Sequence, residues 1–141
     1  MSADAEHPLT DDEYRSLAEF RYALRRFLAF SEDAARQRGL TPSQHQLLLT
    51  VRGAEATGLA PSLSDIAEQL HIRLHSAGEL VGRAAEHGLV ERRADPSDAR
   101  RVLVTTTAAG RSLLEELSRL HRRELRRFRT EMNQILGTIT E

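Results

Sequence analysis

The sequence predicts a mainly α-helical fold with one small β-hairpin, and two patterns near the middle of the 141-residue chain support this. Apolar residues recur at helical spacing on both sides of a short break at 71–73. Two strand-like runs, 89–93 and 101–105, then flank a turn-rich segment at 94–99. Two helices, a tight turn and a hairpin in this order form a winged helix-turn-helix, with the hairpin as its wing. Long amphipathic helices at both chain ends are predicted to flank it.

The first helix of the pair is expected to begin at Ser62. Its hydroxyl can cap free backbone amides, and Asp65 places a carboxylate in the positive first turn. The second helix follows the break and ends at Gly88, because glycine readily takes the left-handed conformation found just past a helix end. The apolar stripes expected to pack the pair together are Ile66, Ala67 and Leu70 on the first helix, and Ala77, Leu80, Val81, Ala84 and Ala85 on the second.

Two further helices are predicted before this pair. After an arm at 1–10, residues 11–38 carry apolar side chains at spacings of three, four and one, which is typical of an amphipathic helix. Thr41 is the expected cap of the next helix and Pro42 its first residue, and the helix runs toward residue 53. The segment 53–61 contains two glycines and a proline without clear periodicity, and we expect a loop there.

A last long helix is predicted after the wing. Thr107 is its expected cap, and the helix runs from Ala108 toward Ile139, in one piece or in two. A domain of this size cannot easily bury both terminal helices within itself, and leaving them exposed would create a large apolar patch. We therefore expect a two-fold homodimer in which the first and last helices of both chains interleave.

The expected domain organisation follows from these helices. The chain is predicted to be a single domain, 1–141. Within it, residues 11–38 and 111–141 are the dimerisation helices, and residues 40–110 are the winged helix-turn-helix lobe that would bind DNA.

Composition excludes several functional classes. The chain has no cysteine, which excludes disulfides, thiolate metal sites and a cysteine oxidation switch. No apolar run approaches the roughly 18 residues of a membrane span, and the acidic start lacks the features of a signal peptide, so a cytoplasmic location is expected. No catalytic triad order, phosphate-binding loop or metalloenzyme motif is present, so neither enzyme activity nor a cofactor is expected.

The net charge of -1 hides an uneven distribution, because acids crowd the start while bases, all arginine, cluster later.

The wing and its flanks carry three motifs: GLVER at 88–92, DPSDAR at 95–100 and TTAAG at 106–110. Together they resemble the winged helix-turn-helix of the MarR family of bacterial transcriptional regulators. The resemblance implies a dimeric repressor that occupies a roughly palindromic operator in double-stranded DNA. It also implies release of that DNA when a small effector, often aromatic and anionic, binds between the dimer helices and the lobe.

Candidate DNA contacts on the second helix lie on the face opposite its apolar stripe. Ser76 and Arg83 are the first candidates, because a hydroxyl near the helix start and a guanidinium can bind bases or phosphates. His75 on the helix and Arg73 at the turn come next. Glu79 on the same face either accepts from a cytosine amino group or is a solvated surface residue or an intramolecular partner of Arg83, and the non-DNA role is favoured.

The helix start departs from the family pattern. Arg73 occupies the position where a serine or similar cap is usual, so His75 or Ser76 is expected to cap the helix instead. Gly82 stands where an acid is common and costs the helix up to roughly 1 kcal/mol relative to alanine.

Candidate DNA contacts on the wing are arginines, which suit a narrow minor groove and its phosphates. We expect the wing tip to gather Arg92, Arg93, Arg100 and Arg101. The family resemblance implies that Asp98 orients Arg100 toward the minor groove and that Arg101 contacts a phosphate. On the physical alternative, Asp98 only caps the turn.

Other features leave alternatives open. A zinc-responsive regulator would use His71 with His75, or His121 with Glu124. The arginine run over 119–129 is either a solvated helix face paired with Glu115, Glu116 and Glu124, which is favoured, or an extra DNA contact.

An effector pocket could be bordered by Arg26, Phe27, Phe30 and His45, although core packing and surface charge explain these residues equally well. A winged-helix protein-interaction dimer without a specific DNA site is the rival function.

Overall fold

The computed structural model describes residues 7–139, and its elements follow the predicted fold class. The helices and strands are α1 (Asp11–Gln37), α2 (Pro42–Glu55), α3 (Leu63–Leu70), α4 (Leu74–Glu86), β1 (Val90–Asp95), β2 (Asp98–Thr106) and α5 (Ala108–Ile139). Of the expected N-terminal arm, residues 1–6 lie outside the described part, and residues 7–10 are exposed and non-helical. Residues 140–141 also lie outside it. No helix within 7–139 is both long and apolar enough to cross a membrane.

The chain divides into two compact units. One unit comprises residues 32–119 and contains the residues predicted to form the lobe, 40–110. The other, which we call the terminal unit, contains the described residues up to 31 and from 120 onward. Each unit has its own cluster of buried apolar side chains.

The lobe is built around the helix-turn-helix pair that the sequence predicted. Ile66 of α3 and Val81 of α4 are fully buried with Val104 of β2, so the predicted apolar stripes meet each other and the hairpin. The antiparallel strands β1 and β2 pair with Val90 opposite Thr106. At its other edge β2 contacts the segment before α3, because the amide of Val104 donates to Pro61 at 2.9 Å. This contact fixes the base of the wing to the helix pair.

Side-chain caps define most helix starts. Thr41 caps α2 and Ser62 caps α3, each in a reciprocal capping box with the residue three positions later. Thr107 caps α5 by accepting from the amide of Gly110 at 3.0 Å. Gly88, after the end of α4, has the expected positive φ of 73°. These predicted boundaries are confirmed.

The start of α4 differs from the expectation. Arg73 is the N-cap residue and makes no side-chain cap hydrogen bond. Neither His75 nor Ser76 caps the helix, because both already lie inside its first turn. The prediction that one of them replaces the missing cap is therefore wrong, and the first amides of α4 are left without a side-chain partner from Arg73.

The helix α2 and the wing strands are longer than predicted. The sequence placed a loop from residue 53, but α2 continues to Glu55. The Glu55 carboxylate accepts from the amide of Thr106 at 2.9 Å and from its hydroxyl at 2.7 Å, so a contact with β2 stabilises the last turn despite Gly53. The turn between the strands contains only Pro96 and Ser97 rather than six residues.

The terminal unit has a small core and a large apolar surface. Ala23, Met132 and Ile135 are buried together, with Phe20 and Phe128 packed against them. The helix α5 is continuous rather than broken in two. Several large apolar side chains of α1 and α5 remain exposed, namely Tyr14, Leu17, Tyr22, Leu28, Leu120, Leu125 and Leu136.

Candidate nucleic-acid interface

The helix α4 presents its polar face to solvent, as expected of a recognition helix. Ala77 and Val81 are buried on its inner side. His75, Ser76 and Arg83 are exposed on the other, and the side chain of Arg83 is 72% accessible. The first backbone amides of a helix carry partial positive charge, and a start without a side-chain cap can donate them to a phosphate.

Glu79 lies between two of the predicted DNA contacts. Its carboxylate is 3.0 Å from Nε2 of His75 and 4.0 Å from Nη2 of Arg83. The geometry agrees with the favoured alternative, in which Glu79 is an intramolecular partner of Arg83. The separation to Arg83 is long for an ion pair, so the guanidinium can leave Glu79 at little cost.

The wing presents the exposed side chain of Arg100 in contact with Asp98. One oxygen of Asp98 accepts from the Arg100 amide at 3.1 Å and from its Nε at 3.4 Å. The same oxygen therefore caps the turn and orients the guanidinium, so both alternatives for Asp98 describe one arrangement. The side chain of Arg100 is 92% accessible.

The turn of the wing is itself fixed by Asp95. Its carboxylate accepts from the Ser97 amide at 2.9 Å and from the Ser97 hydroxyl at 2.8 Å. The hydrogen bond from the Ser97 amide is the main reason why the pKa of Asp95 lies below its ordinary value. The charged carboxylate stabilises a tight turn just before Arg100.

The expected cluster of four arginines at the wing tip is wrong. Arg92 lies opposite Val104 and Arg93 opposite Leu103, well inside the strands. The pairing of the strands is irregular after Ala94, since Ala94 lies opposite Val102 but Asp95 lies opposite Asp98. Residues 99–101 of β2 therefore lie between these two pairs as a bulge, and the tip is shorter than predicted. Of the four arginines, only Arg100 and Arg101 lie in this segment next to the tip.

Arg92 lies beside the recognition helix instead. A methyl group placed at Gly82 of α4 would be 3.8 Å from Nη1 of Arg92. The guanidinium of Arg92 is therefore close to the exposed edge of α4, on the side toward the wing. Strand periodicity cannot reveal this proximity, because it depends on how the wing packs against the helix.

Sequence reasoning also missed the partner of Arg101. Nη2 of Arg101 lies 3.3 Å from Oδ2 of Asp65, the residue that forms the capping box of α3. Arg101 was expected to contact a phosphate, yet its observed partner belongs to the same chain. Thirty-six positions separate the two residues, and no local pattern links them.

A groove lies in the lobe between the end of α2, the helix α3 and the wing, with a volume of about 830 Å³. Its apolar lining includes Leu49, Leu59 and Leu103, and its charged lining includes Arg93 and Arg101. No sequence pattern indicated this groove, because its walls come from distant segments of the chain. Its volume is typical of small-molecule sites.

The histidines of the zinc alternative lie in different surroundings. His71 ends α3 in the left-handed conformation with φ 54°, while His75 belongs to α4. His121 is buried in the terminal unit, 2.8 Å from the Ser31 hydroxyl and in edge contact with Phe27 and Phe30. Over residues 7–139, no three histidine, aspartate or glutamate side chains are grouped closely enough to hold a metal ion.

The other candidates have identifiable partners. Arg26 pairs with Glu131 and lies over the Tyr22 ring. His45 is buried in the lobe. In the arginine run, Arg119 pairs with Glu115 as expected. The expected pairing of this run with Glu116 is wrong, because Glu116 pairs with Arg38 at 3.1 Å, and Arg127 pairs with Glu131.

Comparison with known proteins identifies the lobe. The model of the MarR family matches residues 38–101, which run from the start of α2 to the wing. The winged helix-turn-helix of residues 38–101 therefore matches that of the MarR family. This match confirms the resemblance predicted from the wing motifs. MarR-family winged-helix proteins are DNA-binding transcription regulators. A search of curated proteins found no match.

Solved MarR-family structures share the fold. AbsC from Streptomyces coelicolor is 21% identical with a TM-score of 0.71, and the match covers 86% of this chain and 81% of that one. A mutant of E. coli MarR in complex with operator DNA is 21% identical with a TM-score of 0.64, over 75% and 73% of the two chains. BpsR of Bordetella bronchiseptica, whose DNA binding is regulated by 6-hydroxynicotinic acid, is 25% identical with a TM-score of 0.63, over 86% and 95%.

Proposed function

We propose that this chain is a dimeric, sequence-specific repressor that leaves its operator when a small-molecule effector binds. The observation that carries the proposal is the pair of DNA-facing features on one lobe. The recognition helix has an exposed polar face and a start without a side-chain cap, and the wing carries an exposed arginine whose direction is fixed by Asp98. A major-groove reader and a minor-groove reader are thus built into the same unit.

The contacts divide by groove. Ser76 and Arg83 on α4 contact base edges or phosphates in the major groove, and His75 and Arg73 flank them near the helix start. Arg92, close to α4, adds a positive charge at the edge of the same surface. On the wing, Arg100 enters the minor groove with Asp98 as its holder.

The terminal unit supplies the dimer. Tyr22 and Leu125 are 63% and 49% exposed, and with their exposed apolar neighbours they form a surface that water contacts unfavourably. Burial against a second copy of α1 and α5 removes that surface from water. Accordingly, the chain acts as one domain, with residues 11–38 and 111–141 as dimerisation helices and 40–110 as the DNA-binding lobe. Two lobes then read half-sites about 34–36 Å apart, which makes the operator pseudo-palindromic.

An effector completes the proposed function. BpsR and its ligand support a small aromatic acid as the chemical class. The groove beside α3 and the wing has room for such a molecule, with apolar walls and the guanidinium groups of Arg93 and Arg101 at its border. A change of about 1–3 kcal/mol in DNA affinity is enough for a switch.

The rival functions make different demands. A protein-interaction dimer would bind every duplex weakly or not at all. A zinc-responsive regulator would need a cluster of ligands, and the described residues offer no observation in its favour. The proposal is a non-enzymatic regulator that acts on DNA in the cytoplasm.

The test is a titration of the protein against DNA from its own upstream region and against a scrambled duplex of equal length, at near-physiological salt. A preference of about 10³ or more supports the proposal. Arg83→Ala is expected to cost about 1–3 kcal/mol on the preferred site if it contacts a base. Arg15→Ala is a matched control, since this arginine pairs with Asp12 on α1 and belongs to none of the proposed DNA contacts. Equal and weak binding to both duplexes favours the interaction dimer.

A further inference from the structure

We propose that Arg101 is a positioning residue, which fixes the wing through Asp65 and does not itself contact DNA. The inference deepens the proposed function and rests on it. It also replaces the expectation that Arg101 contacts a phosphate.

Asp65 is a fixed anion before Arg101 approaches it. Its Oδ2 accepts from the Ser62 amide at 2.9 Å, and its own amide donates to the Ser62 hydroxyl at 3.1 Å. The hydrogen bond from the Ser62 amide is the largest cause of its lowered pKa, and the charge of Arg101 adds to the effect. The carboxylate is therefore ionised at neutral pH and held in one place, so only Arg101 loses side-chain freedom when the pair forms.

The pair lies where the wing has few other links to the helices. At its base, the hairpin is fixed by backbone contacts, from Val104 to Pro61 and from Leu103 to Ser62. Among the hydrogen bonds and ion pairs of the described residues, only the contact of Arg101 with Asp65 joins the segment 91–102 to a helix. This pair is therefore the polar link of the outer wing to the helices, beside the close approach of Arg92 to Gly82.

Arg101 is also the neighbour of the residue proposed to enter DNA. The side chain of Arg100 is 92% accessible and contacts Asp98 of the same turn. The side chain of Arg101 is 50% accessible and contacts α3. The two guanidinium groups thus have different partners, one on the wing and one on the helix pair. Fixing Arg101 fixes the backbone from which Arg100 extends.

A substitution of Asp65 changes operator affinity in opposite directions under the two possible roles of Arg101, which are a phosphate contact and positioning of the wing. Asp65→Asn keeps an oxygen that can accept from the Ser62 amide but removes the negative charge. If Arg101 contacted a phosphate, this change would free a cation and remove a repelling anion, and operator binding would strengthen. If Arg101 positions the wing, binding weakens, roughly 2- to 5-fold, because a half-exposed ion pair contributes little.

The salt dependence of binding gives a second, independent readout. Loss of one phosphate contact lowers the slope of log affinity against log salt by about 0.9. The double variant Asp65→Asn with Arg101→Gln keeps the net charge of the pair. We expect its slope to equal that of the wild type, and its affinity to be no weaker than that of either single variant. Arg100→Gln is the matched control and should lower the slope.

Three results would overturn the proposal. They are stronger operator binding by Asp65→Asn, a salt slope reduced by about 0.9 in the double variant, or a loss of affinity in the double variant that equals the sum of the losses in the two single variants. Circular dichroism melting checks that each variant folds. If Asp65→Asn does not fold, Arg101→Gln is used in its place, because it leaves the capping box of α3 intact. A change in its salt slope as large as that of Arg100→Gln would then contradict the proposal. Failure of the proposed function looks different, because the wild type would itself show no sequence preference.

Discussion

Gly110, the last residue of the TTAAG motif, is predicted to tolerate no side chain. A methyl group there would lie 2.2 Å from the carbonyl oxygen of Leu89 and 3.1 Å from a methyl carbon of Leu48. The Leu89 oxygen accepts from the amide and hydroxyl of Thr107, each at 3.1 Å. The carbonyl therefore cannot move away without loss of the contacts that fix the start of α5.

The expected magnitude follows from two opposing effects. Overpacking against a backbone atom costs about 3 kcal/mol, the upper part of the usual range. Alanine is better than glycine inside a helix by about 1 kcal/mol. Gly110→Ala should therefore lower the free energy of unfolding by about 2 kcal/mol.

Gly82→Ala is the matched control, because it makes the same chemical change in another helix. At Gly82 the nearest atom to an added methyl group is Nη1 of Arg92 at 3.8 Å, which is an ordinary contact. Only the higher helix propensity of alanine over glycine then affects stability, and the free energy of unfolding should rise by about 0.5–1 kcal/mol.

Urea denaturation followed by circular dichroism measures both variants against the wild type. All three proteins must be compared at one concentration, because the stability of a dimer depends on it. The two variants should differ by about 3 kcal/mol, the sum of the two expected effects. If Gly110→Ala were as stable as the wild type, the close approach of α5 to Leu89 would be incorrect.

The remaining predictions concern charged groups. Glu79→Gln should strengthen binding to every duplex, because it removes an anion beside Arg83; weaker binding to the preferred site alone, in the same titration, would instead show a cytosine contact. Arg100→Ala should weaken operator binding more than Asp98→Ala, which keeps the arginine but loses its holder, and a larger loss for Asp98→Ala by fluorescence anisotropy would reverse these roles. Because the pKa of Asp65 is lowered in the folded protein, its ionisation stabilises the fold above the ordinary aspartate pKa of about 3.9, and this contribution is lost as the pH falls below that value. The stability difference between wild type and Asp65→Asn in urea titrations should therefore shrink between about pH 5 and pH 2, and a constant difference would contradict the assignment.

The fold was largely predictable because its signals are local. Caps at Thr41, Ser62 and Thr107 and a left-handed glycine at 88 mark helix ends within a few residues, and the apolar stripes of α3 and α4 follow helical periodicity. The error at the end of α2 has a non-local cause. Glu55 binds Thr106, 51 positions away, and this contact extends the helix past Gly53.

The candidate site was predictable only in part. The exposed face of α4 follows from periodicity, and the contact between Asp98 and Arg100 follows from a short motif. The positions of Arg92 and Arg101 depend on the register of the hairpin, which shifts after Ala94, and on the packing of the wing against the helices. Neither quantity is encoded in the spacing of the arginines.

The central claim is that two lobes of one dimer read a specific operator. Selection of binding sites from a pool of random duplexes tests this claim most directly, because it assumes no sequence in advance. The account predicts enrichment of one pseudo-palindromic site with half-sites about one helical turn apart, and loss of that enrichment for Arg83→Ala. Repeated rounds that yield no common sequence from protein shown to be folded and dimeric would contradict it.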